Sequence, residues 1–504
     1  MKRLFRGLRD REPAARYDTV VVGSGIAGLV AANLLARGGL SVLLVEQHYM
    51  AGGYCSTFRR AGYTFDAASH FYPLLGNPDT ITGKLLAQLG SRCEWVLMDP
   101  VDTFHLPDGT HFTVPVDLDR YLEQLKTEFP AQVEAIDRFF AAARREYLAG
   151  LLRYFRRHEP TEDNAPLDKS LAQALDEYID DPRLRLILTA DCPHWGSPPS
   201  RTSFTFDSML RLSYFLGNYY PAGGSQAFVD DLARCFEEQG GDILMSTRVE
   251  RIGLTNGRVS GVELETTRGR RQGLRSIATE VVVSNADLLL TIDRLVGAEH
   301  FPADYVADIR RLKPTFPCFL GHLGLRDVPA ALLAEIQGYY WESWDYEGVG
   351  LDALRCKVFV PTLYAPGLAP PGGHIVILQK VLELDHEKIE DWAVHKAQIE
   401  SHAVAHLSTL IPDLESKIVT RSSASALTSE RFTWNHQGAM LGWEMSPEQL
   451  GPARPDTTSP IPGLYLTGHW TRPGGGITPV MISAMHVAEA IGGDGTAALP
   501  TGPS

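Results

Sequence analysis

The chain has 504 residues, of which 44% are hydrophobic and 21% charged, and a net charge of −14. These values are typical of a soluble globular protein of two domains and argue against a nucleic-acid partner, because no basic field is present to attract phosphates. The six cysteines form no C-x-x-C pair, which favours free thiols in a reducing, cytoplasmic compartment. Since neither a signal peptide nor an apolar run of membrane-spanning length is recognisable, we expect any membrane contact to be peripheral.

The first predicted elements, over 17–53, have the order of a dinucleotide-binding unit. The β-branched run Thr19–Val22 predicts a buried strand that enters the turn G-S-G-I-A-G at 23–28, and an Ala/Leu-rich helix follows. A second buried strand at 41–45 leads to Glu46, which is placed to bind a ribose diol. In such a unit the glycines let the backbone approach a pyrophosphate, which sits at the helix N-terminus. The order of elements therefore predicts a bound dinucleotide.

A second glycine pair, Gly52-Gly53, follows soon after the ribose-binding acid. This pair is a feature of flavin proteins rather than of nicotinamide dehydrogenases, because the extra glycines let the loop approach the pyrophosphate from its other side. The next predicted element is a strand, Tyr63–Asp66, after a turn at Gly62.

From about 84 to 215 the composition changes to that of long helices, predicted at 83–89, 118–128 and 132–157. The third helix carries a basic set and an apolar set of side chains: Arg144, Arg145, Arg153, Arg156 and Arg157, and Tyr147, Leu148, Leu151, Leu152 and Phe155. Such a helix either lies on an anionic membrane surface or packs its apolar face inward with solvated arginines. The sequence leaves both alternatives open.

After residue 215 the chain returns to the nucleotide-binding unit. Ser225 is predicted to cap a helix running to Gln239, and two strands flank a hairpin turn at Asn256-Gly257. Three strands at 318–325, 357–361 and 374–379 and a helix over 386–410 predict a second sheet with an outer helix. A last strand at 463–467 leads through a glycine-rich loop to a helix over 479–491.

Three blocks of this sequence resemble the carotenoid (phytoene) desaturase, carotenoid isomerase and retinol saturase family of FAD-dependent oxidoreductases. They are G-S-G-I-A-G with the later A-G-G-Y-C-S-T-F, the block Y-Y-P-A-G-G-S-Q-A-F-V-D-D-L at 219–232, and G-L-Y-L-T-G-H-W-T-R-P-G-G-G-I-T-P-V-M-I-S-A at 463–484. The resemblance implies an α/β fold with a Rossmann-type FAD-binding domain of three-layer ββα architecture and a sheet-and-helix substrate domain, as in amine oxidases. We expect the FAD-binding domain at 1–83, 216–299 and 425–504, a helical substrate- or membrane-facing cap at 84–215 and the substrate domain at 300–424.

The resemblance also implies a set of FAD-binding residues: Gly23, Ser24, Gly25, Ala27, Gly28, Glu46, Gln47, Gly52, Gly53, Val249, Gly468, His469, Ile477, Thr478 and Val480. Two positions depart from the pattern of related flavin enzymes. His469 stands where many have an aspartate that binds a ribityl hydroxyl, and Tyr54 stands where many have an arginine.

Few residues near the expected flavin could do acid–base chemistry. His70 is predicted as a proton acceptor or a pocket wall, with a core histidine as the alternative, and Glu444 is a second catalytic candidate. Tyr219, Tyr220 and Trp434 are expected to line the substrate pocket. His402 and His406 have the i, i+4 spacing of metal ligands, but without a third ligand a solvated helix face is favoured and no metal is predicted.

The leading function is oxidation, reduction or cis–trans isomerisation of a long apolar polyene by hydride transfer with flavin N5. The block A-G-G-Y-C-S-T-F favours saturases and isomerases, whereas P-G-G-G-I-T-P favours desaturases. Without a second dinucleotide fingerprint, the expected electron acceptor is a quinone or oxygen. The alternatives are an amine-oxidase-like enzyme acting on a polar substrate, and a flavin-binding protein without turnover.

Overall fold

The structure, a computed structural model, describes residues 7, 12–155, 168–269, 273–350, 354–384 and 386–492. In these ranges the strands are β1 (Thr19–Val22), β2 (Val42–Val45), β3 (Thr57–Arg60), β4 (Tyr63–Asp66), β5 (Tyr72–Pro73), β6 (Trp95–Leu97), β7 (Asp102–His105), β8 (His111–Val114), β9 (Asn218–Pro221), β10 (Asp242–Leu244), β11 (Thr247–Thr255), β12 (Arg258–Thr266), β13 (Arg275–Ala278), β14 (Val281–Ser284), β15 (Cys318–Arg326), β16 (Gly338–Trp341), β17 (Leu354–Phe359), β18 (Gly373–Val381), β19 (Ile418–Ala424) and β20 (Leu464–Leu466).

The α-helices in the same ranges are α1 (Ile26–Arg37), α2 (Ile81–Leu89), α3 (Leu118–Glu128), α4 (Val133–Gly150), α5 (Leu171–Tyr178), α6 (Pro182–Thr189), α7 (Phe204–Tyr214), α8 (Ser225–Glu238), α9 (Leu288–Leu290), α10 (Ala303–Arg311), α11 (Ala330–Ile336), α12 (Trp392–Leu410), α13 (Leu414–Lys417), α14 (Ala426–Thr433) and α15 (Ile477–Gly492). Single π-helical turns follow α4, at Leu151–Phe155, and α9, at Thr291–Val296. Among the described helices, none is both long and apolar enough to cross a membrane.

A parallel sheet of order β10-β2-β1-β14-β20 forms the centre of the nucleotide-binding domain. Its short strands are runs of valine and leucine with almost every side chain buried, as expected for a parallel sheet covered by helices on its faces. Helix α1 packs against α15 and α8. The predicted strand–helix–strand order is confirmed. Helix α15 begins at Ile477, two residues before the predicted start, and Ser225 is the first residue of α8 rather than its cap, which is Gly224.

A small antiparallel sheet, β11-β12-β13, lies beside the parallel one. The turn between β11 and β12 has positive φ at both central residues, 51° at Asn256 and 73° at Gly257. Those angles are typical of the type I′ turn that Asn-Gly favours, so the predicted hairpin is confirmed.

The second domain contains a seven-stranded sheet of order β19-β15-β18-β17-β16-β7-β8. Helix α12 packs on this sheet through Ile399, Ala403 and Leu407. The sequence predicts β15, β17 and β18, but it predicts only helices for 84–215, where the structure has β6, β7 and β8. These strands are three or four residues long, and β7 and β8 mix polar with apolar residues, so their apolar pattern is too short to indicate a strand. The segment boundaries remain a prediction.

Helices α3 to α7 form a layer around a core that includes Phe139, Leu184 and Trp195. Helices α4 and α7 cross closely at Gly150, where an added Cβ would lie 2.1 Å from Met209 Sδ. In the segment predicted as the third helix, 132–157, which we call the basic segment, Arg144 and Arg145 are exposed. Arg156 and Arg157 lie outside the described residues.

Candidate active site

A long cleft opens at the carboxyl ends of β1, β2 and β14, where ligands bind in open parallel sheets. One end is lined by Glu46, Gln47 and Val249, and the other end by Gly476 and Ile477 at the start of α15. We call it the cofactor cleft.

Two glycine loops form the middle of the cofactor cleft. Gly25 and Gly52 pair as a parallel bridge, and the Gly52 amide donates a 3.0 Å hydrogen bond to the Ser24 carbonyl. At Gly28 an added Cβ would lie 2.0 Å from the Gly23 carbonyl oxygen, so helix and turn are in contact. No side chain caps the first turn of α1, whose amides therefore remain available at the cleft. Bare backbone beside a helix N-terminus fits the pyrophosphate of a dinucleotide.

Glu46 follows β2 and is held by three donors. Its Oε2 accepts hydrogen bonds from the Ser24 amide (2.8 Å) and the Ser24 hydroxyl (2.7 Å), and its Oε1 accepts one from the His48 amide (2.8 Å). A carboxylate has about four acceptor sites. The orientation of Glu46 is thus fixed, and its remaining acceptor capacity can serve a ribose diol.

The C-terminal loop covers the other end of the cofactor cleft. Of the residues expected to bind the flavin, Gly468, His469, Ile477 and Val480 line this end of the cleft. His469 Nε2 lies 3.3 Å from Asn435 Oδ1. Burial, with a smaller effect from Arg454, lowers the pKa of His469 to about 3. His469 is therefore a neutral hydrogen-bonding group where related enzymes often carry an aspartate.

The structure brings twelve of the fifteen predicted cofactor residues to the wall of the cofactor cleft: Gly23, Gly25, Ala27, Glu46, Gln47, Gly52, Gly53, Val249, Gly468, His469, Ile477 and Val480. Ser24 lies behind Glu46, and Gly28 packs the turn against the helix. The Thr478 hydroxyl donates to the Pro73 carbonyl (3.0 Å), and Thr478 lines a second cavity that adjoins the cofactor cleft.

Asn285 is a cleft residue to which the sequence reasoning gives no role. It follows β14, and its side chain lies between the first glycine turn and the C-terminal loop, 2.9 Å from an added Cβ at Gly25 and 2.7 Å from one at Gly468. Its position after a predicted buried strand was the sequence feature that could have indicated a cleft residue, because ligands bind at the carboxyl ends of parallel strands.

Trp434 lines the cofactor cleft rather than the neighbouring cavity. The guanidinium groups of Arg248 and Arg294 lie 5.4 and 4.6 Å from its ring centroid. Tyr219 and Tyr220 are not among the lining residues of the cofactor cleft or of the adjoining cavity. The Tyr220 hydroxyl donates to the buried carboxylate of Asp66, which also accepts from the Ser225 amide at the start of α8.

Glu444 lines neither the cofactor cleft nor the adjoining cavity. It pairs with Arg201, with 3.1 Å between Glu444 Oε1 and Arg201 Nη2. Burial raises its pKa to about 7, against the opposing effect of Arg201. His70 lines the cofactor cleft, and its Nδ1 lies 2.8 Å from the Ala68 carbonyl. Burial and then Lys357 lower the pKa of His70 to about 3, so its imidazole is neutral.

A second cavity, of about 670 Å³, adjoins the cofactor cleft. We call it the apolar cavity because most of its lining side chains are aliphatic or aromatic, among them Phe71, Leu74, Tyr147, Leu151, Tyr154, Phe155, Trp195, Phe206, Met209, Leu210, Tyr214, Leu216, Leu441 and Leu450. Its charged lining residues are Asp79, which is exposed, and Lys84, which is partly exposed. Tyr147, Leu151 and Phe155 of the basic segment thus face this cavity.

Five of the described residues line both spaces: Phe71, His194, Leu441, Gly476 and Ile477. The junction is therefore one wall of backbone and apolar side chains with one imidazole, that of His194. A ligand in the apolar cavity would meet the end of the cofactor cleft at this wall.

Fold and site together define a flavin-dependent oxidoreductase: a Rossmann-type cleft with the second glycine pair, a C-terminal loop and helix at its far end, and an adjoining apolar cavity. Residues 26–492 match the model of the flavin containing amine oxidoreductase family, and the chain belongs to that family. The family indicates a flavin cofactor, in agreement with the cleft.

Curated relatives carry three related activities. The chain is 27% identical to rat all-trans-retinol 13,14-reductase (90% of this chain, 82% of the relative) and 27% identical to prolycopene isomerase 2 of an Oncidium hybrid cultivar (96% and 85%). It is 28% identical to the lycopene-forming phytoene desaturase of Pseudescherichia vulneris (94% and 98%). The predicted resemblance is confirmed.

Solved structures agree on the fold. An oxidoreductase from Methanosarcina mazei matches with a TM-score of 0.67 at 18% identity, over 94% of this chain and 99% of that one. Cyclohexylamine oxidase from Brevibacterium oxydans matches with a TM-score of 0.61 at 19% identity, over 94% and 99%. The expected α/β fold of amine-oxidase type is confirmed.

Proposed function

We propose that this protein is an FAD-dependent oxidoreductase that acts on carbon–carbon bonds of a long apolar polyene or isoprenoid. The reaction is desaturation, saturation or redox-assisted cis–trans isomerisation. Bound flavin supplies the two-electron acceptor or donor next to the substrate carbon. The chain supplies the binding site, the orientation and the exclusion of water.

The apolar cavity is the observation that carries this proposal. Its volume of about 670 Å³ falls in the range of small-molecule sites, and it meets the cofactor cleft along a shared wall. Transfer of a neutral polyene from water into such a lining is favourable in proportion to the apolar area removed from water, by about 25 cal/mol per Å². The relatives named for retinol, prolycopene and phytoene support the same substrate class.

The charge distribution argues against a polar amine substrate. An ammonium group deep in the cavity would need a carboxylate to offset its loss of hydration. The acidic group among the described lining residues is the exposed Asp79. The other charged lining residue, Lys84, is a cation and would repel an ammonium group, and the remaining lining is apolar apart from a few hydroxyl and amide side chains and His194. An amine-oxidase-like activity on a polar substrate is therefore the second candidate.

FAD rather than FMN is supported by the lining of the cofactor cleft, which includes Glu46 and Val249 in addition to the glycine loops. A ribose at Glu46 and an adenine at Val249 require a dinucleotide. The electron acceptor we propose is oxygen or a quinone. Membrane contact by the basic segment stays a prediction. Its apolar side chains Tyr147, Leu151 and Phe155 line the apolar cavity, which supports the alternative that this face packs inward.

Of the two catalytic candidates, His70 is better supported as a pocket wall than as a proton acceptor. Its Nδ1 is engaged by the Ala68 carbonyl, and its Nε2 is inaccessible in the described structure. Glu444 is better supported as a structural partner of Arg201.

Anaerobic incubation of the purified holoprotein with phytoene, a cis-carotenoid, retinol and a primary amine tests the proposal. We expect at least one polyene to change the flavin spectrum and to yield a product with altered double bonds, while the amine leaves the flavin oxidised. Flavin reduction by the amine alone would support the second candidate. A flavin spectrum unaffected by every compound, with no polyene product, would leave a binding protein without turnover.

A further inference from the structure

We propose that His194 accepts the proton that the substrate loses when the flavin oxidises the neighbouring carbon. The inference rests on the proposed function and deepens it, because it names the group that completes a desaturation. His194 was not a candidate in the sequence; it stands in the run C-P-H-W, which the structure places between α6 and α7.

The position of His194 is the first argument. It is the one ionisable side chain among the five described residues that line both the cofactor cleft and the apolar cavity. A carbon must lie against the flavin for oxidation, and the proton on the next carbon must lie within reach of its acceptor. A group at the junction of the two spaces meets both requirements.

His194 is held rigidly by its neighbours. It lies in the 3₁₀ turn Cys192–Trp195, and its ring centroid is 5.2 Å from that of Phe71, 5.7 Å from that of Trp195 and 5.3 Å from that of His70. The following Gly196 approaches Thr315 so closely that an added Cβ would lie 2.8 Å from Thr315 Cβ. A proton acceptor fixed in this way needs no reorientation during the reaction.

Gln379 and His70 define the state of the imidazole. The Gln379 Nε2 donates to His194 Nδ1 over 3.4 Å, and this assignment leaves the proton of the neutral ring on Nε2. Burial lowers the pKa of His194 well below its ordinary value, and His70 and Lys357 lower it further. Lys357 is itself buried and paired with Asp102 (2.8 Å). His194 is therefore neutral near pH 7, and the lone pair that can accept a proton is on Nδ1, where the 3.4 Å contact with Gln379 is long for a hydrogen bond.

A C–H bond next to the polyene breaks, and its hydrogen leaves with both electrons to the oxidised flavin, so the substrate becomes an allylic cation. The cation recaptures the hydride unless the adjacent C–H bond also breaks; when it does, its electron pair forms the new double bond, and its proton goes to the lone pair on His194 Nδ1. Net reduction of the flavin therefore depends on His194. Oxygen or a quinone afterwards reoxidises the flavin. A carbocation is a very strong acid, so the weakly basic imidazole suffices.

The first test is chemical modification of the wild-type holoprotein with diethyl pyrocarbonate, which acylates neutral imidazole, followed by mass spectrometry. We expect His194 to be modified through the apolar cavity and to be protected by a saturating polyene, whereas His70 stays unmodified in both samples. Modification of His194 that is independent of the polyene, or absent, would overturn the proposal.

The second test compares His194→Gln with His374→Gln, a partly buried histidine that lines neither space. Anaerobic flavin reduction by the polyene should slow by about 100-fold or more in His194→Gln, the usual effect of losing a general base. Flavin content and reduction by dithionite should be unchanged, and His374→Gln should match the wild type within about twofold. Wild-type rates with polyene in His194→Gln would refute the role of His194, and a wild type that no polyene reduces would instead refute the proposed function.

Discussion

The cofactor cleft and the apolar cavity differ in what forms their walls. The cofactor cleft is formed mainly by backbone: glycine loops, a helix N-terminus and the ends of parallel strands. The apolar cavity is formed by side chains from α4, α7 and the loops that face them, which are far apart in sequence. Backbone recognition of a pyrophosphate demands glycines at fixed spacing, whereas an apolar lining can be made from many residue combinations. Substitutions should therefore act sharply in the cleft and gradually in the cavity.

The largest effect is expected at Gly28, where an added Cβ would overlap the Gly23 carbonyl oxygen at 2.0 Å. We predict that Gly28→Val weakens flavin binding by more than about 100-fold, or about 2.8 kcal/mol. Flavin content after gel filtration and titration of the apoprotein measure the effect. The control is Gly367→Ala, where an added Cβ meets nothing within 4 Å. Flavin retention by Gly28→Val at the wild-type level would contradict the role of this glycine turn in holding the pyrophosphate.

A second prediction concerns the apolar cavity. Leu210 lines it, and Leu210→Trp should fill part of it and lower kcat/KM for a polyene by about 30-fold, or about 2 kcal/mol, without loss of flavin. Leu148→Trp on α4 is the matched control, because Leu148 is 49% exposed and is not a lining residue. Equal turnover by both variants would mean that the substrate does not enter this cavity.

A substitution at Glu46 should lower flavin affinity less than Gly28→Val does. Glu46→Gln keeps the shape but removes the charge that accepts from Ser24 and His48, and we expect flavin affinity to fall by about 10-fold. Isothermal titration of the apoprotein with FAD and with FMN sharpens the prediction. The loss should appear for FAD and be absent for FMN, because only FAD has the adenosine ribose.

The smallest effect is a shift in the pH profile of substrate-driven flavin reduction. The rate should stay level down to a pH well below 6.5, the ordinary pKa of imidazole, and fall only where His194 becomes protonated. Removing the neighbouring charge in Lys357→Met/Asp102→Asn raises the pKa of His194, so the fall should begin at higher pH. A wild-type rate that halves near pH 6.5 would contradict a neutral, buried base.

The same contrast explains how much was predictable from the sequence. The strand–turn–helix unit, the second glycine pair and the loop before α15 are local in sequence, and the structure has these elements where they were predicted. The ribose-binding role of Glu46 stays a prediction. Asn285 and Trp434 reach the cofactor cleft through long-range packing: the end of a predicted strand was the one local signal for Asn285, and Trp434 was expected in the substrate pocket instead. His194 and Leu210 belong to the apolar cavity, whose walls come from helices that give only an amphipathic pattern. Strands β7 and β8 were missed because each is only four residues long, and although they pair with each other, their place in the sheet depends on the distant strand β16, which pairs with β7.

The most direct test of the central claim is an anaerobic single turnover of the wild-type holoprotein with phytoene, in which flavin absorbance and the polyene product are followed together. If a neutral polyene in the apolar cavity reacts with the flavin, one new double bond should form for each flavin reduced, and Leu210→Trp should slow both signals equally. A primary amine that reduces the flavin while phytoene, a cis-carotenoid and retinol leave it oxidised and unchanged would contradict the account.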